Sequence, residues 1–296
     1  MQKLLIIAAV ILCSVACNKK EVGETGFTVS ADKETYTTAD TVRFAFTGNP
    51  WYLTFYSGEP YHKYEYRDRV NETGKPQLFF NSAQTTGSQA NTLKVLISTD
   101  FSGVYDSTNV YNATWTDITS QTTLATGSTA TESGNIDLSQ FITSDHPVYV
   151  AFKYTGTKGT AQRTWTIKLV ALDNLLADNT SYELLGIGES TAGFKSIPMK
   201  VPSVAWTIST TQLQIKGFTT TALSVADTEG WVVSKPLNLT RVLPDTGTPL
   251  KNMTTSMSTL NYIYGTAGSY NATFVATNAN RYSEKSDVKE IPITVQ

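Results

Sequence analysis

The chain has 296 residues, with 23 Lys and Arg against 25 Asp and Glu and a formal net charge of −2. Charged residues make up only 16%, which excludes the basic stripe that nucleic-acid binding requires and leaves a surface covered largely by Thr, Ser and Asn. The only cysteines are Cys13 and Cys17, so no disulfide framework holds the rest of the chain.

The first element is N-terminal. Met1-Gln-Lys3 is a short positive start, Leu4 to Leu12 is an unbroken apolar run, and Ser14-Val15-Ala16-Cys17 brings small residues up to a cysteine. This is the layout of a secretory signal peptide. The apolar run is too short for a transmembrane helix, which needs about 20 residues. The cysteine at the cut resembles a bacterial lipoprotein lipobox, with Ser14 standing where Leu is usual. That resemblance implies removal of residues 1–16 and lipidation of Cys17. Each buried CH₂ then contributes about 0.8 kcal/mol, and two or more chains hold a protein firmly to a bilayer. The alternatives are ordinary cleavage that leaves Cys17 free, or acylation at Cys13, where Leu12 is too bulky for the pattern. Asn18 follows Cys17 in place of the aspartate of an inner-membrane retention signal, so outer-membrane sorting is expected. Residues 17–26 read as a lipidated flexible tether, with Lys19-Lys20-Glu21 similar to a surface-export signal.

Strand patterns dominate from Phe27 onward. Phe27–Ser30, Thr41–Phe46, Trp51–Tyr56 and Tyr64–Tyr66 alternate or run apolar, and turn residues such as Thr47-Gly-Asn-Pro50 and Ser57-Gly58 separate them. Leu93–Ile97, Val148–Tyr154 and Trp165–Val170 are strong strands. Trp206–Ile208, Leu213–Ile215, Trp231–Val233, Tyr262–Tyr264, Tyr270–Val275 and Ile291–Val295 complete the series. Helical periodicity is nearly absent, and Asp173–Leu185 is the one stretch expected to hold a short helical turn. Many short strands at near-regular spacing give an all-β fold built of sandwiches.

Aromatic crowding is the best lead to a ligand. Trp51, Tyr52, Tyr56, Tyr61, Tyr64 and Tyr66 fall within sixteen residues. Rings with polar edges suit the apolar C–H faces of sugars in a partly wet site. Strict alternation would place Tyr64 and Tyr66 side by side on one face. Arg67, in the patch Arg67-Asp68-Arg69, could clamp an acidic sugar bidentately. The candidate ligand residues are therefore Trp51, Tyr61, Tyr64, Tyr66 and Arg67. The competing reading is structural: Tyr and Trp ordinarily face the core of a β-sandwich, and the Arg-Asp-Arg patch pairs with itself. Trp115, Trp165, Trp206 and Trp231 are expected in the core.

Catalytic motifs are mostly missing. His62 and His146 are far apart, and no His-Glu-x-x-His, Gly-x-Ser-x-Gly or phosphate-loop pattern occurs. Glycoside hydrolysis needs only two carboxylates. Glu59, Asp100, Asp106, Asp117 and Asp137 are available for it, or are ordinary turn and cap residues. The expectation is a protein that is not an enzyme and has no catalytic cofactor.

Two blocks resemble known modules. Leu93–Asp100, Ala113–Ile118, Ile136–Ser139, Val150–Tyr154 and Trp165–Ile167 fall in an order similar to the jelly rolls of cleaved-adhesin-type surface proteins. Gly268–Asn278 through Ile293–Val295 resembles the last strands of an Ig-like domain of the polycystic-kidney-disease type, and Phe27–Tyr56 resembles its first strands. Neither end supplies an Ig sandwich alone. The resulting expectation is an all-β chain, a jelly-roll-like sandwich at 71–240 inserted into an Ig-like β-sandwich built from 27–70 and 241–296, because chain ends that lie close together tolerate insertion. Two separate small sandwiches remain the alternative.

Asn49-Pro50, Leu53–Glu59 and Tyr64–Arg67, joined to the jelly-roll pattern, resemble the Bacteroidetes outer-membrane lipoproteins of domain-of-unknown-function family 5017. Pro60-Tyr61-His62 departs from the Gly and His that often follow this glutamate there. The resemblance implies a cell-surface glycan-binding accessory of a starch-utilisation-type uptake system. Its partners would be a polysaccharide or oligosaccharide, the membrane through the lipid, and a SusC/SusD-type complex; nucleic acid is excluded. Adhesion to another envelope protein and glycoside-active enzyme are the other classes considered. Jelly rolls of the resembled kind often carry a structural Ca²⁺, which needs several oxygen ligands. Asp100, Asp106 and Asp137 are the candidate ligands, although none lies in an Asp-x-Asp-x-Asp loop.

Overall fold

The chain opens with four strands, β1 (Thr28–Ala31), β2 (Thr35–Tyr36), β3 (Val42–Thr47) and β4 (Tyr52–Tyr56), in the computed structural model, which describes residues 21–186 and 193–296. In β3 the period-two pattern works directly: Val42, Phe44 and Phe46 are buried while Arg43, Ala45 and Thr47 are exposed. After residue 69 the chain builds a second unit, residues 70–243, and only then returns with 244–296 to complete the first. The expected signal peptide and Cys17 lie outside the described residues.

The second unit runs through β5 (Lys75–Thr85), β6 (Leu93–Ser98), the short helix α1 (Ser107–Asn112), β7 (Thr116–Asp117), β8 (Thr131–Glu132), β9 (Ile136–Asp137), β10 (Tyr149–Gly156), β11 (Thr164–Leu175), β12 (Ser181–Leu185), β13 (Lys195–Pro198), β14 (Trp206–Ile208), β15 (Leu213–Lys216) and β16 (Thr228–Val233). The returning segment adds β17 (Thr248–Lys251), β18 (Thr259–Tyr262), β19 (Gly268–Ala279) and β20 (Glu284–Val295) to the first unit. The chain is all-β in character, and each unit is a sandwich of two sheets.

In the first unit, one sheet has the order β1-β3-β18 and the other β17-β4-β19-β20-β2. Both sheets mix N- and C-terminal strands, and β2 lies parallel to β20 with Tyr36 opposite Val295. Between the sheets, Phe274 is the hub of an aromatic core. Its ring lies 4.9 Å from Phe55, 5.0 Å from Phe44 and 5.3 Å from Phe46. The segment expected to be a tether is packed from Val22 onward: Val22 and Thr25 are buried, and the Val22 N–H donates to Ser283 Oγ at 2.9 Å.

In the second unit the sheets are β13-β16-β10-β6-β7 and β14-β15-β11-β5-β8, with β12 on β11 and β9 on β5. Every residue of β16 is buried, because its sheet is covered on both faces. Val232 joins the inter-sheet core with Phe80, Phe152, Trp165 and Trp206. Trp231 and Val233 join a second cluster with Phe101, Val110 and Tyr149 on the other face. Trp115 is only partly buried and packs against this outer cluster.

Two local expectations are corrected. Tyr64–Tyr66 is a 3₁₀ turn and not a strand. At three residues per turn, positions i and i+2 diverge by about 120°, so Tyr64 and Tyr66 do not share a face. Three residues are also too few for alternation to distinguish the two geometries. Asp173–Leu185 contains no helical turn. β11 continues to Leu175, the chain reverses at Asn179 with φ 63°, and β12 pairs back on β11. Asp178 makes this turn, accepting from the N–H and hydroxyl of Thr180.

Candidate functional sites

Four of the five aromatic-cluster candidates sit on the loop that follows β4. Gly58 has φ +84°, and a Cβ there would lie 2.7 Å from the Asn271 N, so only glycine lets this loop lie against β19. Tyr61 also has positive φ, 68°, and is 43% exposed. The loop is bolted to the returning chain. The Thr246 N–H donates to Tyr61 O, the Lys63 N–H donates to Asp245 Oδ2 at 2.9 Å, and Arg69 Nη2 lies 3.2 Å from Asp245 Oδ1.

The structure brings Tyr64, Tyr66 and Arg67 together, but it fills their rings with protein. The Arg67 guanidinium lies 4.1 Å over the Tyr64 ring, and Tyr56 meets that ring edge-on at 5.3 Å. Tyr66 has the Arg69 guanidinium at 3.9 Å and the Lys63 ammonium at 5.3 Å. Arg67 also pairs with Asp68 at 3.3 Å. These rings are cation–π partners, which leaves less open face for a sugar. Trp51 does not join them. It precedes β4 while Tyr56 ends it, a separation of about 17 Å at strand rise, and its N–H donates to Asn278 Oδ1.

The candidate calcium ligands are each engaged by their own loop. Asp106 caps α1, accepting from the Asn109 N–H at 2.8 Å and from its side-chain amide. Asp100 accepts from Ser98 Oγ and the Thr114 N–H, both at 2.8 Å. Asp137 accepts from the N–H and hydroxyl of Ser139 and pairs with Lys75 at 3.5 Å. Burial pushes all three carboxyls up, most of all at Asp100 where it is the largest single cause, but hydrogen bonds to the charged form outweigh it and hold all three below the ordinary aspartate range. Among the described residues, no group of three or more His, Cys, Asp or Glu is placed to hold a metal.

The second unit carries a groove of about 770 Å³ that the aromatic pattern does not signal. Its wall includes Gln84, Asn91, Lys94, Asp117, Arg163 and Trp165. Register explains the assembly: β5 and β11 pair with Gln84 opposite Trp165, while β6 and β7 carry Lys94 and Asp117. The groove polar groups are held from behind. The Trp165 indole N–H donates to Thr92 Oγ1 at 2.8 Å, and the Gln84 amide donates to Ala125 O at 2.7 Å. Arg163 Nε donates to Gln89 O and Nη1 to Thr86 O. Lys94 and Asp117 form an ion pair at 2.9 Å, with both side chains about half exposed. The result is a prearranged set of amide, hydroxyl and charged groups over an indole-backed floor. Sequence reading placed Trp165 in the core, where its ring is; that the same residue backs a groove depends on the loops after β5 and β7.

A family model described as Domain of unknown function (DUF5017) matches residues 16–194. That span begins one residue before Cys17 and includes the β5, β6, β7 and β11 residues of the groove. No curated protein and no solved structure matches the chain.

Proposed function

The chain belongs to the DUF5017 family, and from that starting point we propose that it is a lipid-anchored, non-catalytic outer-membrane protein whose second unit binds an oligosaccharide for a polysaccharide uptake system. The observation that carries the binding role is the groove of about 770 Å³ with Lys94, Asp117, Arg163 and Gln84 on its walls and Trp165 behind it. Sugars need a dense array of hydrogen-bond partners beside apolar surface, and groups already held by the protein lose little entropy on binding. The anchoring role is supported by the signal-peptide layout ending at Cys17 and by a family match that starts at Ala16. A SusC/SusD-type importer at the cell surface is the partner this role calls for.

Affinity electrophoresis of the mature protein through gels containing single polysaccharides tests the reading. One glycan should retard the protein, and Arg163→Ala or Lys94→Ala should relieve the retardation, while Tyr61→Ala should not. Retardation that survives both groove changes would move the site elsewhere. Release of reducing sugar by the unmodified protein would make it an enzyme instead.

A further inference from the structure

The end of the first unit that receives the chain from Cys17 carries a surface suited to a bilayer, and we propose that this end rests on the headgroup layer of the membrane holding the lipid. The inference depends on the lipidation proposed above.

The connection from Cys17 to the folded unit is short. Only Asn18, Lys19, Lys20 and Glu21 separate Cys17 from Val22. Val22 is buried, and its N–H is bonded to Ser283 Oγ. The next residues are fixed too: the Asn278 amide donates to Gly23 O at 3.0 Å and Glu24 O at 3.1 Å, and Lys285 pairs with Glu24. Five fully extended residue steps reach at most about 18 Å. An acylated Cys17 has its chains in the hydrocarbon and its backbone among the headgroups, so the β19–β20 turn beside Val22 stays within that distance of the bilayer.

What this end presents matches that position. Tyr282 at the turn is 50% exposed, with the Arg281 guanidinium 4.3 Å over its ring. The turn is stiff: the Asn280 N–H donates to Ser283 O, and the Tyr282 N–H donates to Asn280 Oδ1 at 2.8 Å. On the neighbouring strand Tyr52, opposite Thr277, is 40% exposed, and Trp51 precedes it. Tyr and Trp concentrate at membrane–water interfaces because their rings are apolar with one polar edge, and Arg reaches phosphate while its stem covers apolar surface.

The test uses the full acylated chain, purified from membranes and reconstituted into vesicles of phosphatidylethanolamine and phosphatidylglycerol. A nitroxide is placed at Tyr282→Cys, at Tyr52→Cys as a second site, and at Thr266→Cys near the opposite end of β19 as control. Accessibility to oxygen relative to an aqueous nickel complex reports depth. The ratio should be several-fold higher at positions 282 and 52 than at 266. Ratios at 282 and 52 equal to that at 266, in protein whose N-terminal peptide carries acyl chains by mass spectrometry, would overturn the contact and leave the anchor standing. An N-terminal peptide without acyl chains would overturn both.

Discussion

Arg69 and Asp245 form an ion pair at 3.2 Å in which the aspartate side chain is almost fully buried. They are the last residue of the first unit before the chain departs and the second after it returns. The pair, with the Lys63 N–H on the same carboxylate, closes the first unit around the point where the second is inserted. Removing one partner of a buried pair strands the other charge, at a cost of about 3–5 kcal/mol. Asp245→Ala should therefore lower the stability of the first unit by about that amount in urea titration. Asp245→Asn, which keeps an acceptor for Lys63, should lose less. Equal losses in the two variants would show that the acceptor for the Lys63 N–H adds nothing beyond the ion pair, and small losses in both would show that the Arg69 charge is compensated elsewhere.

Phe274 should be the most costly single truncation in the first unit. Its ring is fully buried and touches Phe44, Phe46 and Phe55, which come from the other end of the sequence. Phe→Ala changes in such cores cost about 3–5 kcal/mol. Phe274→Ala should shift the first unit's unfolding midpoint strongly while leaving that of the second unit in place. A joint shift of both midpoints would mean that the two units unfold as one.

These two sites show what sequence could and could not supply. The strands around Phe44 and Phe274 were legible because period-two alternation with aromatic residues has one reading, and the resemblance of both chain ends to one Ig-like module pointed to their pairing. Tyr64–Tyr66 was misread because three residues do not fix a period and the loop geometry is set by Gly58, Tyr61 and Asp245, the last far away in the chain. The helix α1 was missed because it is six residues long, although Asp106 with Asn109 three positions later is a cap signal. The groove was invisible because Gln84, Lys94 and Asp117 belong to three separate strands, Arg163 precedes a fourth, and no spacing rule connects them. Membership in DUF5017 rested on motifs within the first 170 residues, where most of the family match also falls.

Glu229 is nearly buried on β16 and accepts from the Trp231 indole N–H at 2.9 Å and the Tyr111 hydroxyl at 3.3 Å, with Lys153 at 3.3 Å. It ties α1 and two strands to one carboxylate. Glu229→Gln keeps an acceptor for the indole but loses the charge, and hydrogen bonds to charged groups contribute about 1.5–3 kcal/mol. The variant should lose stability of that order, and Trp231 emission should shift as Lys153 moves from its place 5.0 Å over the ring. Unchanged emission with unchanged stability would show that the carboxylate has water in place of these partners.

Acid should weaken the second unit through Asp100, Asp106 and Asp137. Each has a folded pKa below the usual 3.8. The stability they contribute is therefore complete above 3.8 and is lost as pH falls through 3.8 towards the folded values. Asp173 acts in opposition, since burial raises its pKa and protonation relieves it. The pKa of Asp117 is lowered as well, so with four groups against one the second unit's melting temperature should fall between about pH 5 and about pH 3. Asp100→Asn should be less stable at neutral pH and show a shallower acid slope. A slope equal to that of the unmodified chain would remove Asp100 from the account.

Alkali should act through Tyr154, whose ring is fully buried in the second unit and whose hydroxyl donates to Arg163 O at 2.8 Å. Burial pushes this phenol up to about 12 from 10.0. A raised folded pKa means that its contribution is complete below 10 and is lost as pH climbs from there towards 12, because the unfolded phenol ionises first. Tyr154→Phe removes one hydrogen bond and should cost about 1 kcal/mol at neutral pH, while abolishing that alkaline loss. The two stability curves should converge above pH 10. Because Tyr154 holds the backbone of Arg163, glycan retardation at neutral pH should weaken in the same variant. Parallel curves across that range would show that the phenol ionises as readily in the folded protein as in the unfolded chain.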